Sequence, residues 1–205
     1  MLKNDNLVRL IGSMSKSEKR NFKLITHKTG AKDKLYVQLF DYLDKYGKYD
    51  EKHILKRLPK VKKSQLSNLK AVLSKQLLRA LRDINKEEYP EIKARERFDF
   101  AKVLYAKGQY RASLEMLQTV KKMATEIQLV PLLYLAINFE KIIESQHVTQ
   151  SMSSKAYFLA KESNEIIEKL NLTNELTNLS LLLYARYLEQ GYVKNGDEYE
   201  ELNKY

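Results

Sequence analysis

Phe98-Asp99-Phe100-Ala101-Lys102-Val103-Leu104-Tyr105-Ala106-Lys107-Gly108-Gln109-Tyr110-Arg111-Ala112-Ser113-Leu114 decides the fold class. Apolar residues recur in it at three- and four-residue spacings, the period of a helix with one buried side. Gly108 interrupts that period, and it resumes at Tyr110. The stretch therefore reads as two helices joined by a tight turn. Ser113, early in the second helix, is small enough to let paired helix axes approach closely.

The pattern extends outward. Residues 91–107 pair with 109–127, 131–147 with 153–170, and 173–194 with a last helix from 197 onward. The second helices begin about 44 residues apart, a repeat period. At an offset of 43, Ser113 matches Ala156, Leu114 matches Tyr157, Ile127 matches Leu170 and Leu129 matches Leu172. Tyr105, Gly108, Tyr110 and Ser113 give this stretch a resemblance to the turn of a tetratricopeptide repeat. That family places an aromatic late in its first helix, Gly at the turn, an aromatic two residues on and a small residue three beyond. Tyr192-Val193-Lys194-Asn195-Gly196-Asp197 is similar to the family's Tyr-to-Gly-Asp segment. The resemblance covers residues 91–205. It implies a degenerate tetratricopeptide-like α-solenoid that binds a protein partner in its concave groove. Tyr105, Tyr134, Tyr184 and Tyr187 are the candidate groove residues, with core packing as the alternative role for Tyr134, Tyr184 and Tyr187.

The first part of the chain reads as five helices. One runs over 4–12. The second opens with Ser15-Lys16-Ser17-Glu18, a capping-box pattern, and stops at Thr29-Gly30. A third covers 33–46 and ends at Gly47. Asp50 caps a fourth that stops near Leu58-Pro59, and Ser64 caps the fifth and longest, to Asn85. Pro90 then suits the first turn of a new helix, where its missing N–H does no harm. The expected organisation is all-α: a basic helical module over 1–88, with a helix-turn-helix-like hairpin at 50–86, followed by tetratricopeptide-like helix pairs over 89–205. The Ser15–Arg20 segment also resembles the N-terminal region of uncharacterised bacterial proteins that join it to such repeats, which adds architecture and no activity.

Charge divides the chain at nearly the same place. Residues 1–86 carry 22 Lys and Arg against 8 Asp and Glu, a net of +14, whereas 87–205 carry 15 against 18, a net of −3. One half is built to attract anionic surfaces. On the fifth helix Lys75, Arg79, Arg82 and Lys86 lie within about 60° of one another in projection, opposite Leu66, Leu69, Leu73, Leu77, Ala80 and Ile84. Lys16, Lys19, Arg20 and Lys23 form a second stripe, and Lys60, Lys62 and Lys63 a cluster between the two. These eleven residues are the candidate contacts to an anionic partner, against the bland reading that an amphipathic helix needs some solvated face. A sharper version makes 54–69 a DNA-reading hairpin, with Lys63, Gln65 and Asn68 at the start of its second helix as base-contacting candidates.

The 205-residue chain contains no Cys, which excludes disulfides, thiolate metal sites and cysteine nucleophiles, and fits a reducing, cytoplasmic setting. Its longest apolar run, Leu129 to Ile137, is too short to span a bilayer, and its basic helices lack the bulky apolar face of a membrane-surface helix. His27, His53 and His147 show no metal-ligand spacing. Glu140, Glu144 and Glu165 read as members of solvated helix faces, and Tyr36, Tyr42, Tyr46 and Tyr49 as packing at a helix junction. No catalytic residue, cofactor or metal is expected. The leading expectation is a non-enzymatic adaptor that binds a protein through its repeats and an anionic partner through its basic half. The alternative is a nucleic-acid-binding regulator with a repeat-based sensor or dimerisation domain. The oligomeric state is left open.

Overall fold

A computed structural model describes residues 4–28, 35–147 and 152–191. Among them are nine α-helices and no strand: α1 (Asn4–Ser13), α2 (Lys16–Lys28), α3 (Leu35–Tyr46), α4 (Glu51–Arg57), α5 (Leu66–Asn85), α6 (Pro90–Ala106), α7 (Tyr110–Glu126), α8 (Val130–His147) and α9 (Met152–Gln190). The protein is thus all-helical. The chain divides into two compact units, Met1–Ile92 and Lys93–Tyr205.

In the first unit the helix starts follow local chemistry. The Ser15 amide donates to Glu18 Oε2 at 2.7 Å and the Glu18 amide donates to Ser15 Oγ at 3.1 Å, so two free helix-start donors are satisfied reciprocally. The bond from the Ser15 amide holds the Glu18 carboxyl below its ordinary pKa. Asp50 caps α4 by accepting from the His53 amide at 3.1 Å. Ser64, in contrast, does not cap α5. A short 3₁₀ turn, Lys63–Gln65, precedes the helix, and the Gln65 side-chain carbonyl reaches back to the Lys62 amide at 3.1 Å. That bond closes the 3₁₀ turn, and α5 itself starts without a side-chain cap.

The core of this unit gathers Leu7 and Ile11 of α1, Phe22 of α2, Leu39, Phe40 and Leu43 of α3, Ile54 of α4, and Leu73 and Leu77 of α5. Phe22 and Phe40 meet with ring centroids 4.7 Å apart, and Val61 is buried as a plug in the turn between α4 and α5. The tyrosines of α3 pack at the junction. Tyr42 is buried, shares a 2.7 Å hydrogen bond with His53 Nδ1 and lies against Tyr46. Burial raises the Tyr36, Tyr42 and Tyr49 hydroxyl pKa values.

In the second unit, two turns of the same geometry set the helix order. At the first, Gly108 has φ +73° and the Gln109 amide donates to Leu104 O at 3.0 Å; at the second, Gln128 has φ +55° and the Leu129 amide donates to Ala124 O at 2.8 Å. Both are left-handed helix ends of the Schellman kind. Glycine enters that region freely, whereas Gln128 brings a Cβ toward a carbonyl oxygen. Ser113 is fully buried and its hydroxyl donates to Ala101 O at 2.8 Å, tying α7 to α6. Leu117, Val120 and Ala124 of α7, Leu132, Ala136 and Ile137 of α8, and Ile166 of α9 share one core with Ala94, Phe98 and Ala101 of α6.

The expected break between 170 and 173 does not occur: 153–170 and 173–190 belong to the single helix α9. Neither Gly nor Pro interrupts it there. Thr173, the expected start of a new helix, bonds backward to Lys169 O at 2.8 Å, and Thr177 to Thr173 O at 2.9 Å. Hydroxyls turned to the preceding turn cannot cap a helix start. The residue matches at an offset of 43 extend to burial only in part: Ile127 and Leu170 are both half-buried, but the others differ. Ser113 is buried where Ala156 is exposed, and Leu114 is half-buried where Tyr157 is exposed. The Tyr192–Asp197 segment and the helix expected from 197 lie outside the described residues.

Replacing Gln128 with Gly should raise stability by up to about 1 kcal/mol by relieving the left-handed conformation, read as a shift of the urea midpoint at unchanged slope. Ser15→Ala should cost about 1 kcal/mol in the same measurement. Glu18→Gln should be less stable than wild type at neutral pH. Because the folded pKa is lowered, Glu18's contribution is complete above the ordinary glutamate range and is lost as pH falls through the folded value. The difference between the two proteins should therefore vanish in acid.

Candidate binding surfaces

The outer face of α5 carries a polar stripe. Asn68 begins it, and Lys75, Arg79, Arg82 and Lys86 continue it at spacings that keep all five within about 60° in projection. Lys75, Arg79 and Arg82 are exposed and Lys86 is half-buried. Arg82 Nη2 lies 3.3 Å from its neighbour Asp83, while Lys75 and Arg79 have no ion pair among the described residues. Leu78, half exposed, sits at the edge of the stripe. Lys60, Lys62 and Lys63 are all exposed on the turn that leads into α5.

The α2 stripe is different. Lys19 Nζ is 2.8 Å from Asp44 and Lys23 Nζ 2.7 Å from Asp41, so carboxylates on α3 neutralise two of its four cations. Lys16, Lys19, Arg20, Lys23, Leu24 and Asp44 line an open groove of about 480 Å³. Sequence periodicity could place each stripe on its own helix but could not foresee which would be neutralised, since Asp41 and Asp44 lie on a different helix.

Of the proposed base-contacting residues, Lys63 pairs with Glu51 at 3.4 Å and the Gln65 carbonyl is occupied by the Lys62 amide. Asn68 is exposed and has no side-chain hydrogen bond among the described residues.

The four groove tyrosines are not brought together. Tyr105 is half-buried against Phe139, Tyr110 and His147, and its hydroxyl is 3.0 Å from Gln146 Oε1. Tyr134 packs against the core near the start of α8, about 20 Å along the helix from His147. Tyr184 and Tyr187 lie on the outer part of α9, ring centroids 6.5 Å apart and both exposed. They belong to the feature that the sequence reading missed. Past Leu170, α9 exposes Leu172, Leu176, Leu181, Leu182 and Leu188 at 52–67%. Such a helix, apolar on more than one side, is ordinarily covered.

A second missed feature is ionic. Glu140 is 1% exposed, so it does not belong to a solvated face. Its carboxylate accepts from Lys121 Nζ at 3.1 Å and from Gln118 Nε2 at 2.8 Å. Lys121 also donates to Glu162 at 2.6 Å, and Lys155 bonds Glu144. Burial works against the Lys155 ammonium, but Glu144 and Glu140 outweigh it and raise its pKa. Three helices are joined by this cluster, and its groups are occupied with one another. Glu165 is exposed, as expected.

His53 and His147 are held by tyrosines: His147 stacks on Tyr110 at 3.8 Å between centroids, 8° from parallel. The His27 side chain lies outside the described residues. Among the described residues no helix is long and apolar enough to cross a membrane. No protein-family model, curated protein or solved structure matches the chain.

Truncating Lys121 to Met should leave the buried Glu140 carboxylate with only Gln118 and the Lys155 ammonium at 3.7 Å and cost about 3 kcal/mol. A Lys121→Met/Glu140→Leu double variant should recover most of that loss, and a double-mutant cycle in urea measures the coupling.

Proposed function

We propose that the protein is a non-enzymatic adaptor of the cytoplasm that works by binding. Its basic N-terminal half docks on an anionic partner, and its second unit, a degenerate tetratricopeptide-like solenoid, holds a protein partner. The observation that carries this reading is the α5 stripe: a row of cations on one exposed helix face, with Lys75 and Arg79 unpaired among the described residues. A row of such charges releases counterions from a polyanion or complements an acidic protein face, each contact adding modestly. The α2 stripe contributes less, because Asp41 and Asp44 already satisfy half of it. For the protein partner, the support is the apolar outer part of α9.

A nucleic-acid-binding regulator is the second reading, favoured by one observation. Asn68, without a side-chain hydrogen bond among the described residues, begins the same stripe that Lys75 and Arg79 continue. An uncommitted amide beside phosphate-seeking cations is the arrangement that base-edge contact requires.

Elution from heparin tests the α5 surface. Lys75→Glu/Arg79→Glu/Arg82→Glu/Lys86→Glu should elute at clearly lower salt than wild type, and further down than Lys16→Glu/Arg20→Glu; equal elution of all three would remove α5 as the docking face. Anisotropy with duplex DNA tests the second reading. It requires a steep log–log fall of affinity with salt, and a slope reduced by about 3–4 in the quadruple variant. No binding at low salt ends that reading and leaves the adaptor.

A further inference from the structure

We infer that the outer part of α9 pairs with the same segment of a second copy of this chain, as an antiparallel helix pair centred near Ser180. The inference rests on the protein-binding reading of α9 and names the partner.

The pattern is that of a helix seam. Leu172, Leu176, Leu179, Leu183 and Tyr187 follow one another at spacings of four, three, four and four residues, which keeps them on one side of the helix. Leu172, Leu176, Leu183 and Tyr187 are exposed and Leu179 is half-exposed. The packing of α9 against α8 ends earlier, at Ile166 and Leu170, so the seam begins where the helix's own core stops.

Charge favours a second copy. The exposed leucines and tyrosines between 172 and 188 lie on all sides of the helix, and those on the seam itself present on the order of 400 Å², the share each partner brings to a small interface. A two-fold pairing requires a surface complementary to itself, and a run of leucines ending in tyrosine satisfies that in either direction. Between 171 and 188 the only charged residues are Glu175 and Arg186. They stand on the same flank of the seam, an equal distance either side of its middle. Parallel pairing would turn the charged flank of each copy toward the uncharged flank of the other and leave both residues without a partner across the seam. Antiparallel pairing brings Glu175 of one copy near Arg186 of the other, twice by symmetry. The segment has no surplus charge to recruit a strongly acidic or basic partner.

Sedimentation equilibrium of the full chain up to about 100 µM should give twice the monomer mass. Leu176→Glu/Leu183→Glu should weaken association about 100-fold without loss of helical circular dichroism. The chain has no cysteine, so Ser180→Cys, at the two-fold, should give a disulfide-linked dimer on mild oxidation while Thr173→Cys should not. A monomeric wild type, a dimer untouched by the double leucine variant, or equal cross-linking at 173 and 180 would each overturn the inference. If the wild type is monomeric, hydrogen exchange over 172–188 separates the causes. Rapid exchange leaves α9 open to a different protein, so that self-pairing alone fails. Slow exchange means the chain covers its own seam, and the protein-binding reading of α9 fails with it.

Discussion

The second unit depends on how much of α8 must be hidden. Leu132, Leu133, Ala136, Ile137, Glu140 and Ile143 are all buried along it, with Tyr134 and Phe139 half-buried beside them. No single neighbour can cover an arc that wide. α7 takes one side and the first part of α9 the other, with Phe98 and Ala101 of α6 reaching the same core. Glu140 falls inside this covered arc, and its position would be costly without Lys121 and Gln118. The ion cluster is therefore a consequence of the packing around α8.

Much of the helical order was legible because it depends on neighbours in sequence. Gly108, Pro90, the Ser15–Glu18 box and the Asp50 cap all act within four residues, and each lies where its local chemistry puts it. Three features were not legible. Gln128 takes the left-handed conformation at a turn with no residue that favours it, so tertiary packing of α7 on α8 must offset the strain. Thr173 could start a helix or ride inside one, and only the direction of its hydroxyl distinguishes the two. Lys121, Glu140, Lys155 and Glu162 come from three helices, and no periodicity on one of them reveals the others.

The candidate surfaces divide in the same way. The α5 stripe is a property of one helix, so counting and projection find it. Its contrast with the α2 stripe is a property of two helices, created by Asp41 and Asp44. Half-exposed pairs of this kind add little stability, but they cancel charge where a partner would approach. Formal charge therefore overstates the attraction of α2 for an anion.

The outer part of α9 shows how the same two causes act together. Helix continuity is set locally: no residue between 166 and 180 stops it, and each Thr returns its hydroxyl to the helix's own backbone. Coverage is set by packing and ends at Leu170. A helix that outlasts its cover must expose whatever its sequence carries next, and here that is mostly leucine. Polar residues would have made the extension a simple spacer. Leucines at seam spacing, in a half whose net charge of −3 offers little repulsion between copies, give the exposed segment a physical reason to associate.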